Sequence, residues 1–166
     1  MTKDLGEYLI KKYPKLYTEC SGETAFKLFG FECKDGWFRI ILWLSRYLQD
    51  YVDQQNEMSS KYPDQYQPVD QIKVVQVKEK FGTLRFYYKG GNEHIRAVVD
   101  FVEYISGYVC ETTGEVDNVG YNRKGYIQTK NHLCENINKK DFFYVDDEEL
   151  RSLIDKKKDR QLTLNL

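Results

Sequence analysis

Two histidines, four cysteines and a near balance of 25 basic against 26 acidic residues are the raw material for chemistry in this 166-residue chain. Catalysis at neutral pH usually recruits histidine, paired carboxylates, an activated cysteine or a metal. His94 falls beside Glu93 in the first turn of an expected helix, the place of an exposed cap-region residue rather than a base. Cys33 has a nucleophile's side chain. No histidine is near it in sequence, however, and its aromatic surroundings favour a buried thiol with a raised pKa. Glu32 and Asp35 could act as a carboxylate pair, yet Asp35 is also placed to cap a helix. Lys89-Gly-Gly-Asn92 reads as a turn and lacks the spacing of a phosphate-binding loop. No recognised catalytic constellation is complete, so the expectation is a chain that is not an enzyme, with a small hydrolase as the third reading.

Binding chemistry offers more. Lys78, Lys80, Arg85 and Tyr87 fall on one face of two expected strands, with Lys73 nearby, and basic side chains interleaved with an aromatic suit a surface that tracks phosphates and stacks bases. The neutral overall balance and the alternating Lys-Glu-Lys pattern favour an ordinary solvated face instead. Aromatic residues are the second signal: 14 tyrosines and nine phenylalanines exceed the needs of one small core, because a buried tyrosine hydroxyl requires a partner. Tyr62, Tyr66, Phe142 and the four chosen candidates Tyr121, Tyr126, Phe143 and Tyr144 fall in segments expected to be irregular. Tyrosine is enriched where partners bind.

The elements that must position these residues follow from periodicity. Ile72 to Lys80 and Thr83 to Lys89 read as a β-hairpin around Gly82, with Val75 and Val77 on one face facing the same way as Leu84, Phe86 and Tyr88. A hairpin alone is marginal in water, so that face needs cover. The main cover is a helix from Gly36 to about Glu57, N-capped by Asp35, with Trp37, Ile40, Ile41, Leu44, Leu48 and Tyr51 as its stripe. Phe38, Leu42, Trp43 and Tyr47 suggest a second contacted side. Asn92 caps another helix, through Ser106, that presents Ile95, Val98, Val99, Val102 and Ile105. Short helices are expected over Asp4 to Tyr13 and Glu23 to Phe29, the second ended by Gly30. Asn56 to Asp70 reads as a loop, Gly107 to Asn136 as irregular with one small hairpin, and Asp146 with Glu149 as the capping box of a C-terminal helix.

Phe29-Gly-Phe-Glu-Cys33 followed by Asp35-Gly36-Trp37, then Gln76-Val-Lys-Glu-Lys-Phe-Gly-Thr-Leu-Arg-Phe-Tyr87, resembles an uncharacterised family of small proteins encoded by bacteriophages and prophages, over about residues 5 to 136. In those relatives the segment after the second long helix looks like a zinc ribbon, with a Cys-x-x-Cys-Gly knuckle answered by a second Cys-x-x-Cys pair after a Gly-Trp step. This chain keeps Cys110 and Gly114 but has Thr113 at the second ligand position. Gly125-Tyr126 replaces Gly-Trp, and Asn131 and Cys134 stand where the second pair would be. Structural zinc takes four thiolate or imidazole ligands, and two of the four are gone. His132 could join Cys110 and Cys134 in a three-ligand site. The expectation is nevertheless a metal-free relic knuckle held by packing, with Cys110 and Cys134 close together and no cofactor.

The resulting expectation is an α+β protein: an antiparallel hairpin or small sheet covered by two long helices over 1–106, a degenerate zinc-ribbon-like segment over 107–136, and a C-terminal helix and tail over 137–166. No run approaches a membrane span and the first residues lack a signal peptide's apolar core, so a soluble protein of the bacterial host cytoplasm is expected. The four cysteines, without secretory context, read as free thiols rather than a disulfide framework. The resemblance implies a stoichiometric, non-enzymatic inhibitor of a bacterial antiviral defence effector, such as an RNA-guided CRISPR nuclease, free or RNA-bound. A nucleic-acid-binding accessory protein using Lys78, Lys80, Arg85 and Tyr87 is the alternative.

Overall fold

The computed structural model describes residues 1–18, 22–122, 127–134 and 141–164. Its elements run α1 (Lys3–Lys12), α2 (Pro14–Tyr17), α3 (Ala25–Phe29), β1 (Phe31–Glu32), a 3₁₀ turn (Asp35–Trp37), α4 (Phe38–Lys61), β2 (Lys73–Lys80) and β3 (Thr83–Lys89). There follow α5 (Glu93–Ser106), β4 (Val119–Asn122), β5 (Thr129–Asn131), β6 (Phe142–Tyr144) and α6 (Glu148–Leu164). The class is α+β, as the periodicity predicts. Among the described residues, no helix is long and apolar enough to cross a membrane.

The hairpin β2–β3 gains a third strand, because β1 pairs parallel to β2 with Phe31 opposite Val77. A bulge at Val75 shifts the register between Val74 and Gln76 and corrects the expected facing. Val74 and Val77 are buried, while Val75 is only half-buried, since one extra residue reverses the alternation on its N-terminal side. Leu84 and Phe86 complete the inward face and share one core with Trp37, Ile41, Leu44, Leu48, Ile95 and Val99. Of the expected second apolar side of α4, Phe38 and Leu42 pack against this core. Trp43 is 59% exposed and Tyr47 is also exposed, so that side is covered only in part.

Helix ends show which polar groups compete for the backbone. Thr24 caps α3 through the Lys27 N–H at 3.2 Å, and Asn92 caps α5 through the Ile95 N–H at 3.1 Å. Asp35 does not cap α4. Its carboxylate accepts the Thr2 N–H at 2.6 Å, tying the start of α1 to the 3₁₀ turn. Likewise Asp147, not Asp146, accepts the Leu150 N–H at 2.8 Å and starts α6. Helix α4 extends past the expected loop start to Lys61, and Asn56 grips Val69 through both its backbone groups, at 2.8 and 2.9 Å.

Helix α5 does more than cover the sheet. The outer edge of β3 would leave N–H groups without a strand partner. Ser106 Oγ accepts from Leu84 at 2.8 Å and Glu103 Oε1 accepts from Phe86 at 2.7 Å, so helix side chains close that edge. The second sheet has the order β5–β4–β6 and is antiparallel throughout. Phe142–Tyr144, expected to be irregular, is therefore a strand, and the pairing of Phe143 with Tyr121 supplies the long-range contact that local pattern does not show.

Candidate binding cleft

The turn of the main hairpin is Phe81-Gly82, with φ of 54° and 81°. Two positive φ values match the right-handed twist of paired strands, and Asn, Asp or Gly normally takes the first position. A phenylalanine there is strained, because left-handed backbone brings its Cβ against the following carbonyl at a cost of about 1–2 kcal/mol. Phe81 is nevertheless 69% exposed and gains no burial in return. The turn beneath it is pinned: Glu79 Oε1 accepts the Gly82 N–H at 2.6 Å and the Thr129 hydroxyl donates to the Gly82 carbonyl. A Cβ on Gly82 would approach Ile127 Cγ2 to 3.1 Å, so the tip rests against the approach to β5.

Between this tip, the C-terminal half of α5 and β4 lies a cleft of about 740 Å³, lined among others by Phe81, Arg85, Glu103, Tyr104, Tyr108 and Tyr121. Tyr104 and Tyr108 share a hydroxyl–hydroxyl hydrogen bond of 2.8 Å, and both rings remain exposed. Arg85 faces Glu103 at 3.5 Å with both side chains mostly buried. Burial pushes the Glu103 carboxyl above its ordinary range, opposed by the Phe86 amide and the Arg85 guanidinium. Asp100 adds a further carboxyl to the lining. The wall is thus aromatic, with a few polar groups at fixed positions, as in sites that hold an extended side chain by its apolar body and polar end.

The residues singled out in the sequence distribute unevenly over this geometry. Arg85 and Tyr121, chosen for opposite readings, meet in the same cleft. Lys78 instead stands 5.8 Å from the Tyr87 ring, and Lys80 stands 5.3 Å from the Phe81 ring. The expected open basic face is therefore smaller than four residues, because Arg85 turns to Glu103. Phe143 is stacked on Tyr121 at 6.2 Å across the second sheet. Tyr144 lies under Arg151, 3.8 Å from its guanidinium carbon, and is spent within the fold. Tyr126 and Cys20 lie outside the described residues. His94 is exposed, as expected, and bonds the Tyr47 hydroxyl at 2.6 Å while stacking on Tyr51. Glu32 accepts from Gln76 and Asp35 from Thr2, so each carboxylate is engaged with a partner of its own. Cys33 is buried and its thiol is pushed up to about 12 by burial.

Phe81, Tyr104 and Tyr108 escaped the sequence reading although a signal existed. Phe81 occupies the Asn position of a two-residue turn, and Tyr104 lies off the apolar stripe of α5.

The segment read from the sequence as a relic knuckle brings Cys110 and Cys134 together, with their sulfurs 3.6 Å apart. It does not gather a zinc ligand set. Asn131 spends its amide on the Asp117 carbonyl at 2.7 Å and its carbonyl on the Leu133 N–H at 2.8 Å. His132 packs beside Tyr144 with Nδ1 buried and unpartnered, and among the described residues no three His, Cys, Asp or Glu side chains are arranged to hold a metal. The described residues here do not fit zinc.

Comparison with protein-family models, curated proteins and solved structures finds no match to this chain.

Proposed function

We propose that this chain is a non-enzymatic binding protein that takes a partner protein's segment into the cleft between the hairpin tip, α5 and β4. The observation that carries the reading is Phe81: a large aromatic held in strained backbone, exposed, and lining a cleft together with Tyr104, Tyr108 and Tyr121. Strain retained without a packing return is typical of a position kept for contact with something else. Exposed aromatics beside partly desolvated charge are the composition of binding hot spots. The resemblance to phage and prophage proteins supports a partner of one kind, a bacterial defence effector such as an RNA-guided nuclease, met in the host cytoplasm.

The test is a phage-plaquing assay against such a nuclease, with binding to the purified effector measured in parallel. Phe81→Asn combined with Tyr104→Ala keeps turn geometry and core, and should weaken binding at least thirtyfold, the size of a lost hot spot of about 2 kcal/mol. Unchanged affinity in a folded double variant would dismiss the cleft. One observation favours the second reading, a nucleic-acid surface: Lys78 and Lys80 flank the exposed rings of Tyr87 and Phe81. Under that reading Lys78→Glu with Lys80→Glu would abolish binding and flatten its salt dependence by about 0.7 to 0.9 per lost phosphate contact. We expect the charge-reversed variant to retain inhibition.

A further inference from the structure

Cys110 and Cys134 come from different parts of the chain, yet their sulfurs touch. Cys110 ends the run after α5, where the Val109 carbonyl accepts the Trp37 indole N–H at 2.9 Å and the Glu111 carbonyl accepts the Gly36 N–H at 2.8 Å. This run belongs to the helical core. Cys134 closes the turn after β5, its N–H donating to the Asn131 carbonyl at 3.0 Å. Glu111 N–H donates to the Thr129 carbonyl at 3.0 Å and lays the two runs side by side. The sulfurs are then 3.6 Å apart, with Cys110 buried and Cys134 partly exposed.

We propose that Cys110 and Cys134 are a reversible dithiol–disulfide site, oxidised by low-molecular-weight disulfides, that staples the second sheet to the helical core. The asymmetry of the pair sets the order of events. Partly exposed Cys134 loses its proton to solvent and attacks one sulfur of the small disulfide. An S–S bond forms to Cys134, and one small thiolate leaves and takes a proton. Buried Cys110 then attacks the Cys134 sulfur, forming the internal S–S bond and expelling the second small thiolate, which is protonated in turn. Two protein thiols are oxidised by two electrons, and one small disulfide is reduced to two thiols.

The local groups favour Cys110 as the resolving thiol, while the first attack falls to Cys134 because it is the accessible sulfur. Burial alone would raise the Cys110 thiol, but the Thr113 hydroxyl and the amides of Asn131, Thr113 and Thr112 outweigh it and hold the thiol below its ordinary value. The Thr113 N–H lies 3.4 Å from the sulfur. A resolving nucleophile is thereby kept ready where no outside reagent reaches it. Cys134 is raised by burial and by the adjacent Cys110 sulfur. Cys33, buried and pushed up to about 12, has no comparable activation.

The test treats the full chain with glutathione redox buffers in the presence of a chelator, followed by peptide mapping and thermal melts. Expected is a Cys110–Cys134 cross-link, reversed by reduced glutathione, with a melting temperature higher by about 5–10 °C in the oxidised form. Cys134→Ser should abolish both effects, and folded Cys110→Ser should accumulate a mixed disulfide on Cys134. Failure of the cross-link to form in fully oxidised glutathione would overturn the proposal. So would a cross-link that reaches Cys20 or Cys33 instead, or an oxidised form that melts no higher than the reduced one.

Discussion

Replacing Trp37 by phenylalanine tests the joint on which both halves of the fold depend. The indole is fully buried in the core, and its N–H is spent on the Val109 carbonyl at 2.9 Å, just before the run that carries Cys110 and meets β5. Phenylalanine keeps an aromatic ring but removes the donor. The Val109 carbonyl is then left buried and unpaired, at about 1–3 kcal/mol. The smaller ring forfeits the burial of one or two carbon groups, about 0.8 kcal/mol each. The sum is about 2–5 kcal/mol, and Trp37→Ala should cost at least as much, at about 3–5 kcal/mol. Urea unfolding followed by circular dichroism measures the loss. Because the chain has two tryptophans and Trp43 is exposed, Trp43→Phe makes Trp37 the sole tryptophan reporter, and its emission should be blue-shifted in the folded state. A loss below about 1 kcal/mol for Trp37→Phe would refute the claim that this hydrogen bond joins the core to the second sheet.

Phe81→Asn should stabilise the chain by up to about 1 kcal/mol, as relief of left-handed strain, and raise its melting temperature by about 2–4 °C. A fall would show that the aromatic ring supports the fold. Gly36→Ala should destabilise by on the order of 3 kcal/mol, since a Cβ would lie 2.2 Å from the Cys110 carbonyl oxygen and 2.5 Å from the Gly114 nitrogen, both backbone atoms. Faster alkylation of Cys110 in that variant would show the same loosened contact. Glu111 is buried with Oε2 unpartnered while Oε1 accepts the Lys34 N–H at 3.1 Å. Burial raises its carboxyl above the ordinary range, opposed by the Lys34 amide and by the charges of Lys34 and Lys130, with Glu79 adding to the rise. A raised carboxyl contributes stability below its unfolded value of about 4.3 and loses it as pH climbs through the folded value. The urea midpoint of the native chain should therefore decline relative to Glu111→Gln as pH rises above about 4.3. A constant difference would remove burial as the cause.

Local pattern was enough to specify the helices α3 to α5, the hairpin and the shared core, because amphipathic spacing and capping side chains act within a few residues. Asn92 and Gly30 stand where the sequence reading placed the start of α5 and the stop of α3, and Trp37, Leu44 and Phe86 are buried as their spacing demands. Cys110 and Cys134 were also expected to meet. Tertiary structure alone decided features that depend on partners distant in the chain. Asp35 accepts from Thr2 rather than from its own helix, a choice set by where α1 docks. The Val75 bulge, the parallel strand β1 and the strand at Phe142–Tyr144 each require a neighbour supplied from elsewhere in the chain. The cleft belongs to this second group. Phe81, Arg85, Tyr104 and Tyr121 come from the turn that precedes β3 and from β3, α5 and β4 in turn, and no periodicity links their spacing. They converge because Thr129 and Glu79 hold the hairpin tip while Glu103 and Ser106 hold α5 along the edge of β3.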